Sequence, residues 1–392
     1  MLQLIKKLKY ISLLLFVFIS FSFTNYPNKK NNTLNKILIN NKEVNISNAM
    51  KHYKVPAISI SVIENNKIDW LYSYGYISEN NKTKINEETL FQFGSISKAV
   101  TALAVVKLVD NGILELDKDV SSSLKGWKIE KPVQFINPEI TLASLLSMTS
   151  GIGISGFYGY SPNEKLPTLI EILNGQSPAN NLPVKLEELP SEKYSYSGGG
   201  YQIVELLIES VTNKSFQSVL NEEIFKPLNL KNSFFQAPLN SDLSINAVHS
   251  YNEEGKPFSY PWRLVPEFAS AGLWSTPADI SQILIEIMKA YQNKKSLFSN
   301  LNIKKALTKQ KNTQYGLGFV ISGTNDKLRI AKLGQNAGYQ GWIVAYPSKG
   351  QGAVIITNSD NGRELAQDII SSIAKNYDWP SNEKLADAWM LK

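Results

Sequence analysis

Ser95 and Lys98 form a pair of side chains that could carry out covalent catalysis. Apolar residues at helical spacing follow Ser95, so the serine would open a helix and Lys98 would lie on the same face one turn later. The start of a helix places free backbone N–H groups near the hydroxyl, and a lysine whose pKa is lowered by burial can accept the hydroxyl proton. Because the same serine–lysine spacing recurs at three other places in the chain, the pair needs further residues to support it.

Two later motifs support the Ser95–Lys98 pair. The first, Tyr196-Ser197-Gly198, stands just before a predicted helix, and the second, Lys332-Leu333-Gly334, ends a predicted strand. Together with the serine and lysine, these motifs resemble the S-x-x-K, Y-x-N and K-T-G or H-x-G motifs of the serine β-lactamase and penicillin-binding-protein superfamily. The closest likeness is to the branch of class C β-lactamases, D-Ala-D-Ala carboxypeptidases and esterases, and it extends over about residues 45 to 375.

The resemblance implies a role for each of these side chains. Ser95 would be the acylated nucleophile, and Lys98 would be its base or proton relay. Tyr196 would face Ser95 and pass a proton to the leaving group, while Lys332 would supply positive charge to the tyrosine and to a substrate carboxylate. The backbone N–H groups of Ser95 and Gln335 would form the oxyanion hole, which places no demand on the side chain of Gln335.

Three positions depart from the motifs of that superfamily. Gly198 stands in place of an asparagine that would hydrogen-bond the substrate, and Leu333 replaces a threonine that would help to hold a carboxylate. Met148 stands where relatives often carry histidine. These departures weaken the case for β-lactam recognition more than the case for a serine acyl-enzyme. We still expect Gly198 of the second motif and Gly334 of the third to contact substrate, together with Asn336, which lies two residues after the third motif.

The elements that must position these residues are strands at both ends of the chain and helices between them. Residues 57–63 and 67–76 are predicted to form a hairpin, and further strands are predicted at 315–321, 328–332, 342–346 and 353–357. Helices are predicted at 95–111, 141–148, 201–211, 216–225, 277–291 and 363–376. The predicted fold class is therefore α/β, an antiparallel β-sheet flanked by helices with an inserted, mainly helical subdomain at about 120–250, which is the β-lactamase-like fold that the resemblance implies.

The composition excludes several classes of site. The chain of 392 residues has no cysteine, which rules out disulfides, thiolate metal sites and a thiol nucleophile. Its two histidines, His52 and His249, are far apart, so we expect no metal site, no cofactor and no histidine base. Three lysines of residues 1–23 account for part of the formal charge of +7, which leaves +4 (7 − 3 = 4) for the rest of the chain. The other lysines are spread and interleaved with acids, which argues against nucleic-acid binding. There is no G-x-S-x-G motif, and the Gly198-Gly199-Gly200 run lacks the Lys-Ser/Thr of a phosphate loop.

The first 23 residues have the layout of a secretory signal peptide. Lys6, Lys7 and Lys9 precede an apolar run from Tyr10 to Phe23, and no acid interrupts it. We therefore expect the protein to be exported, periplasmic or secreted, and the alternative is an uncleaved N-terminal segment that anchors it to the membrane. Residues 24–35 are polar and indicate a linker, residues 36–376 the hydrolase domain, and residues 377–392 a C-terminal tail.

The resulting hypothesis is an exported serine hydrolase that acts through an acyl-enzyme on an amide or an ester. The expected substrates are D-amino-acid peptides, such as peptidoglycan stem peptides, or small esters. The alternatives are a class C-like β-lactamase and a non-catalytic envelope protein that kept the fold. The sequence leaves the roles of two segments undecided. Residues 157–160 form either a packing element or a wall of the substrate cleft, and Trp262-Arg263 is a candidate substrate contact.

Overall fold

Strands from both ends of the chain frame a helical middle in this computed structural model, which describes residues 26–136, 138–190, 193–310 and 313–380. The strands are β1 (Ile37–Ile39), β2 (Lys42–Val44), β3 (Ile58–Glu64), β4 (Lys67–Tyr74), β5 (Phe91–Gln92), β6 (Phe234–Phe235), β7 (Leu273–Ser275), β8 (Val320–Ser322), β9 (Arg329–Asn336), β10 (Tyr339–Tyr346) and β11 (Gln351–Thr357). The α-helices are α1 (Tyr26–Asn35), α2 (Ile46–Tyr53), α3 (Ile96–Asp110), α4 (Leu142–Leu146), α5 (Leu169–Asn174), α6 (Gly198–Thr212), α7 (Phe216–Leu220), α8 (Ser241–Ile245), α9 (Phe268–Ala271), α10 (Pro277–Tyr291), α11 (Asn300–Ala306) and α12 (Gly362–Asn376).

The main sheet has six strands in the order β4-β3-β11-β10-β9-β8, and every neighbouring pair is antiparallel. The predicted hairpin forms between β3 and β4, and its turn residues Asn65 and Asn66 both adopt positive φ, as a tight two-residue turn requires. Strand β11, from the C-terminal part of the chain, lies between β3 and β10. The sheet therefore unites the two ends of the chain, and the predicted antiparallel sheet flanked by helices is confirmed.

Two apolar clusters pack on opposite faces of this sheet. One cluster includes the buried residues of α3, α6 and α10, and the other includes those of α2 and α12. Side chains of β10 alternate between the clusters, since Ile343 and Ala345 join the first and Trp342 and Val344 join the second. All of β10 is buried, as expected for a central strand that helices cover on both faces. Helix α3, which begins directly after Ser95, is thus held inside the larger cluster.

Serine and threonine side chains cap the N-termini of several helices, among them α10 and α6. The side chain of Thr276 accepts a hydrogen bond from the backbone N–H of Asp279, and Pro277 takes the first helical position of α10. The side chain of Ser197 accepts from the backbone N–H of Gly200 at 2.8 Å, so α6 begins at Gly198, three residues before the predicted start. The cap at Ser197 therefore fixes where the helix starts relative to Tyr196.

Three expectations about the chain's organisation are wrong. Most of the segment 24–35, expected to be a linker, is α1, because Leu34 is buried and the helix packs against α12. Tyr377 and Trp379, assigned to a tail, are buried in the cluster around α12, so packed structure extends past residue 376. Residues 315–321 do not form one continuous strand. The strand in this region, β8, begins only at Val320, because Gly318 adopts a φ of 82° and turns the chain just before β8.

The two termini carry expectations that the structure does not reach. The predicted signal segment, residues 1–23, lies outside the described residues, as do residues 381–392 of the predicted tail. Among the helices of the described ranges, none combines the length and the apolar character needed to cross a membrane.

Candidate active site

One cavity of about 640 Å³ opens where β9, the start of α3, the chain before α6 and the short helix α9 meet. Four side chains from distant parts of the sequence line it: Ser95, Lys98, Tyr196 and Lys332. The structure therefore brings together every side chain that was predicted to take part in catalysis. Neither histidine lines this cavity, and the described part of the chain holds no cluster of acids and histidines that could bind a metal ion.

The Ser95 hydroxyl receives hydrogen bonds from two of these side chains. The Tyr196 hydroxyl donates to Ser95 Oγ at 2.8 Å, and Lys98 Nζ donates to the same oxygen at 3.2 Å. Both distances suit proton transfer to or from the serine oxygen. Ser95 thus stands between a phenol and an amine at the opening of α3, which is the arrangement expected of an activated nucleophile.

Lys98 is buried, with 2% of its surface exposed, on the first turn of α3. Its Nζ also donates to the backbone carbonyl of Ser270 at 2.8 Å, and it lies 5.1 Å from the centre of the Tyr196 ring. Burial lowers the pKa of Lys98 from 10.5 to about 7, because an ammonium loses its hydration there. A large fraction of the amine is therefore neutral near pH 7 and able to accept a proton.

Lys332 lies on β9, where it is buried between the rings of Tyr196 and Tyr315 at the cavity wall. Its Nζ donates to the hydroxyl of Tyr315 and lies 4.9 Å from the centre of that ring and 5.1 Å from the centre of the Tyr196 ring. Burial lowers the pKa of Lys332 to about 8; Tyr196 opposes that change, and the nearby Lys98 adds to it. Lys332 thus retains more of its positive charge at neutral pH than Lys98 does.

The first turn of α3 and strand β9 approach each other closely through glycines. A Cβ on Gly94 would lie 2.6 Å from backbone atoms of Gln335. A Cβ on Gly334 would lie 1.8 Å from the carbonyl oxygen of Phe93. Side chains at these two positions would force the elements apart, so glycine is required at both. The contact places the backbone of Gln335 beside the residue that precedes Ser95.

The orientation of the Gln335 backbone follows from the turn that joins β9 to β10. Asn336 and Tyr339 are paired in the register of the two strands and flank this two-residue turn. In such hairpins the flanking pair is the hydrogen-bonded one and the next pair, here Gln335 and Gln340, is not. This alternation directs the N–H of Gln335 away from β10. The backbone donors of Ser95 and Gln335 that were predicted to form an oxyanion hole thus belong to two elements in direct contact at the cavity.

The residues predicted to bind substrate have different surroundings. Gly198 and Gly334 are buried and do not line the cavity, so close packing accounts for both glycines. Asn336 does line it, but its amide nitrogen donates to Gln92 Oε1 at 2.7 Å and to the Ala271 carbonyl at 3.2 Å. The Asn336 side chain thus ties the end of β9 to neighbouring segments.

Several residues of the site carry no sequence signal of their own. Tyr315 hydrogen-bonds Lys332 but belongs to no motif that the sequence offers, and burial raises its pKa further from neutrality. Ser270 contributes a backbone carbonyl, which any residue type could supply. Of the segments left open, Phe157 and Tyr158 line the cavity, and so does Arg263, whereas Trp262 is buried in the larger apolar cluster.

Comparisons with known proteins agree with this geometry. The family model described as Beta-lactamase matches residues 43–375. The chain is 26% identical over 317 residues to Protein flp of Staphylococcus aureus (strain MRSA252), which covers 78% of this chain and 60% of that protein. It is 26% identical over 277 residues to the Teichoic acid D-alanine hydrolase of the same strain, with 71% of this chain and 65% of that protein covered. The chain thus spans somewhat less than two thirds of these relatives' lengths.

A solved structure shows the same fold. The octameric penicillin-binding protein homologue from Pyrococcus abyssi superposes with a TM-score of 0.70 at 24% sequence identity, covering 88% of this chain and 78% of that one. The family match extends over most of the chain and includes every element that positions Ser95, Lys98, Tyr196 and Lys332. The protein is therefore a member of the beta-lactamase family, within the superfamily of serine β-lactamases and penicillin-binding proteins.

Proposed function

We propose that this protein is an exported serine hydrolase that forms an acyl-enzyme at Ser95 and hydrolyses amides or esters of D-amino acids. The observation that carries the proposal is the double hydrogen bond to Ser95 Oγ, from Tyr196 at 2.8 Å and from Lys98 at 3.2 Å. A buried amine with a pKa near neutrality beside a hydroxyl at a helix start is the chemistry that nucleophilic catalysis needs.

In the acylation step, the proton of Ser95 reaches the leaving group through Lys98 and Tyr196. Ser95 Oγ adds to the substrate carbonyl carbon as its proton passes to neutral Lys98, and the carbonyl oxygen takes the negative charge next to the N–H groups of Ser95 and Gln335. The bond to the leaving group then breaks, and the leaving group takes a proton from the Tyr196 hydroxyl, which Lys98 reprotonates. Water attacks the resulting ester by the reverse sequence, which regenerates Ser95 and releases the acid.

The charges around the cavity favour a substrate that carries an anionic group. Lys332 and Arg263 supply positive charge at its wall, and none of the residues that line it is acidic. The guanidinium of Arg263 lies 5.5 Å from the centre of the Tyr260 ring and donates to the Gly159 carbonyl at 3.3 Å, which holds it at the wall. A carboxylate or phosphate on the substrate would be attracted to such a site.

The name of one relative supports the proposal that the enzyme hydrolyses amides or esters of D-amino acids. The Teichoic acid D-alanine hydrolase of Staphylococcus aureus is named for release of D-alanine, and this chain shares 26% of its residues over 277 positions. Export is supported by the basic and apolar pattern of residues 1–23, and retention of that segment would leave the enzyme attached to the membrane. A β-lactamase is the weaker candidate, because Gly198 and Leu333 lack the polar side chains of the family motifs.

Intact-mass measurement of labelled protein tests the proposal. The full chain is incubated with a fluorophosphonate, with benzylpenicillin and with a chromogenic D-alanyl ester, alongside Ser95→Ala and Ser122→Ala. Ser122 belongs to another serine–lysine pair at the same spacing, so it is a matched control. We expect a phosphonate adduct and ester turnover for the wild type and Ser122→Ala and neither for Ser95→Ala. Turnover that survives in Ser95→Ala, or no adduct and no turnover in the wild type, contradicts the proposal.

Export is tested separately. Cells that express the full chain are fractionated, and the N-terminus of the purified protein is sequenced. We expect the protein in the envelope or medium, with an N-terminus near residue 24 after cleavage or at Met1 in a membrane-attached form. Recovery in the cytoplasmic fraction alone contradicts export and leaves the chemistry at Ser95 to be judged by the labelling experiment.

A further inference from the structure

The segment of residues 153–158, which we call the strap, lies across the start of α6. The N–H of Gly198 donates to the carbonyl of Ile154 at 2.8 Å, and the N–H of Gly199 donates to the same carbonyl at 3.0 Å. The strap therefore takes up backbone donors at the N-terminal end of α6, immediately after the catalytic motif that contains Tyr196. These bonds fix the strap against the helix.

The glycines of α6 are what allow the strap to come so close. A Cβ on Gly199 would lie 2.5 Å from the carbonyl oxygen of Gly153. A Cβ on Gly198 would lie 3.1 Å from Cε2 of Phe157 and 3.1 Å from the carbonyl oxygen of Ser155. The distance at Gly199 is too short for any side chain. The two distances at Gly198 leave no room for a side chain longer than a methyl group. The absence of side chains at Gly198 and Gly199 thus allows the strap to pack directly on the first turn of α6.

The strap forms the cavity wall next to the start of α6, so its side chains are the ones that a substrate would contact there. Residues 155–158 line the cavity, whereas Gly198 does not, because Phe157 and Ser155 cover it. Family motifs place an asparagine amide at position 198, and here the ring of Phe157 packs against that position. A polar group that would hydrogen-bond an amide has been replaced by a hydrocarbon surface, and the neighbouring ring of Tyr158 is largely exposed beside it.

We propose that Phe157, which packs against Gly198 at the start of α6, determines the specificity of the enzyme for the acyl group. It selects acyl groups that present hydrocarbon to the strap and rejects acyl groups that carry an N-acylamino substituent. The inference rests on the proposed serine hydrolase function and narrows its substrates. A short-chain acyl group presents only hydrocarbon to this wall, and a D-alanyl group has no acyl group on its nitrogen to meet the ring. The acylated D-alanine of a stem peptide and the acylamino side chain of a penicillin lose their hydrogen-bond partner and meet the ring.

The test compares two p-nitrophenyl esters, the butyrate and that of N-acetyl-D-alanine. The full chain is assayed as the wild type, Phe157→Ala and Phe157→Leu, with Leu182→Ala as a control at an exposed residue away from the cavity. We expect the wild type to favour the butyrate in kcat/KM by at least about tenfold, and Phe157→Ala to lower that preference by about tenfold. Phe157→Leu keeps a hydrocarbon surface, so its preference should stay within about threefold of the wild type. The rate of acylation by benzylpenicillin, followed by intact mass, should rise about tenfold in Phe157→Ala.

The outcomes separate this inference from the function on which it rests. An active wild type whose preference is unchanged in Phe157→Ala, or is changed equally in Leu182→Ala, overturns the inference alone. A wild type that prefers the N-acetyl-D-alanyl ester does the same. If Phe157→Ala does not fold by circular dichroism, a loss of preference in the folded Phe157→Leu beyond about tenfold overturns it. A wild type that is not labelled at Ser95 and turns over neither ester overturns the proposed function as well.

Discussion

Replacing Lys98 by methionine should abolish activity. It should also change the free energy of unfolding by an amount that depends on pH. The buried amine of the wild type has a pKa of about 7, against 10.5 for an exposed lysine. Between these values the unfolded chain holds a proton that the folded chain has released, so the free energy of unfolding of the wild type rises with pH across this window. The Lys98→Met variant lacks this contribution and keeps only the rise that Lys332, whose pKa burial lowers to about 8, gives in both proteins.

The magnitude follows from the two pKa values. The difference in proton binding destabilises the wild type by about 4 kcal/mol at pH 7 and by about 1 kcal/mol at pH 9.5. The stability of Lys98→Met relative to the wild type should therefore fall by about 3 kcal/mol between these pH values. The hydrogen bond to the Ser270 carbonyl is lost in the variant, but that loss adds a constant at every pH and does not alter the difference.

Urea denaturation of both proteins at pH 7 and 9.5 measures this difference. Lys118→Met serves as the matched control, because the Lys118 side chain is 63% exposed and its substitution should give the same change in stability at both pH values. A difference between Lys98→Met and the wild type that stays constant with pH would refute the reasoning, since it would mean that the folded protein keeps Lys98 protonated to the same extent as the unfolded chain.

Three further predictions concern catalysis and the close contact behind it. Wild-type kcat/KM toward a neutral ester should rise with pH around a midpoint near 7, because Lys98 must be neutral to accept a proton; a midpoint above about 9 contradicts its role as base. Tyr315→Phe removes the hydroxyl that accepts from Lys332, so steady-state assays should show kcat/KM reduced about tenfold in a folded protein, and an unchanged value would mean that the contact is dispensable. Gly334→Ala places a Cβ 1.8 Å from a backbone carbonyl before α3, so denaturation should show a loss of about 3 kcal/mol or more, whereas Gly156→Ala, whose Cβ would meet open space, should lose little stability.

The residues that the motifs mark are the part of the site that could be predicted from sequence. Ser95, Lys98, Tyr196 and Lys332 line one cavity, as expected from three short patterns spread over the chain. Side-chain chemistry of this kind is visible in a sequence because only a few residue types can perform it. The order of hairpins and helices likewise predicted the antiparallel sheet, since hydrophobic periodicity reports which faces are buried.

What could not be predicted depends on backbone atoms and on close approach. The acceptor for Lys98 is the carbonyl of Ser270, and a carbonyl leaves no trace in the residue type. Gly198 and Gly334 were expected to contact substrate, but a glycine in a sequence does not tell which neighbour comes close to it. The helix at residues 26–35 was missed because its polar composition hides the few contacts that hold it against α12.

The position of β11 in the sheet has a consequence for how the protein is made. This strand is synthesised after the other ten strands described here, yet it lies between β3, made early, and β10. The β3–β4 hairpin therefore has no partner on its inner edge until β11 has been synthesised, and the sheet cannot close before then. A chain shortened before residue 351 would expose that edge permanently, so such fragments should aggregate rather than fold.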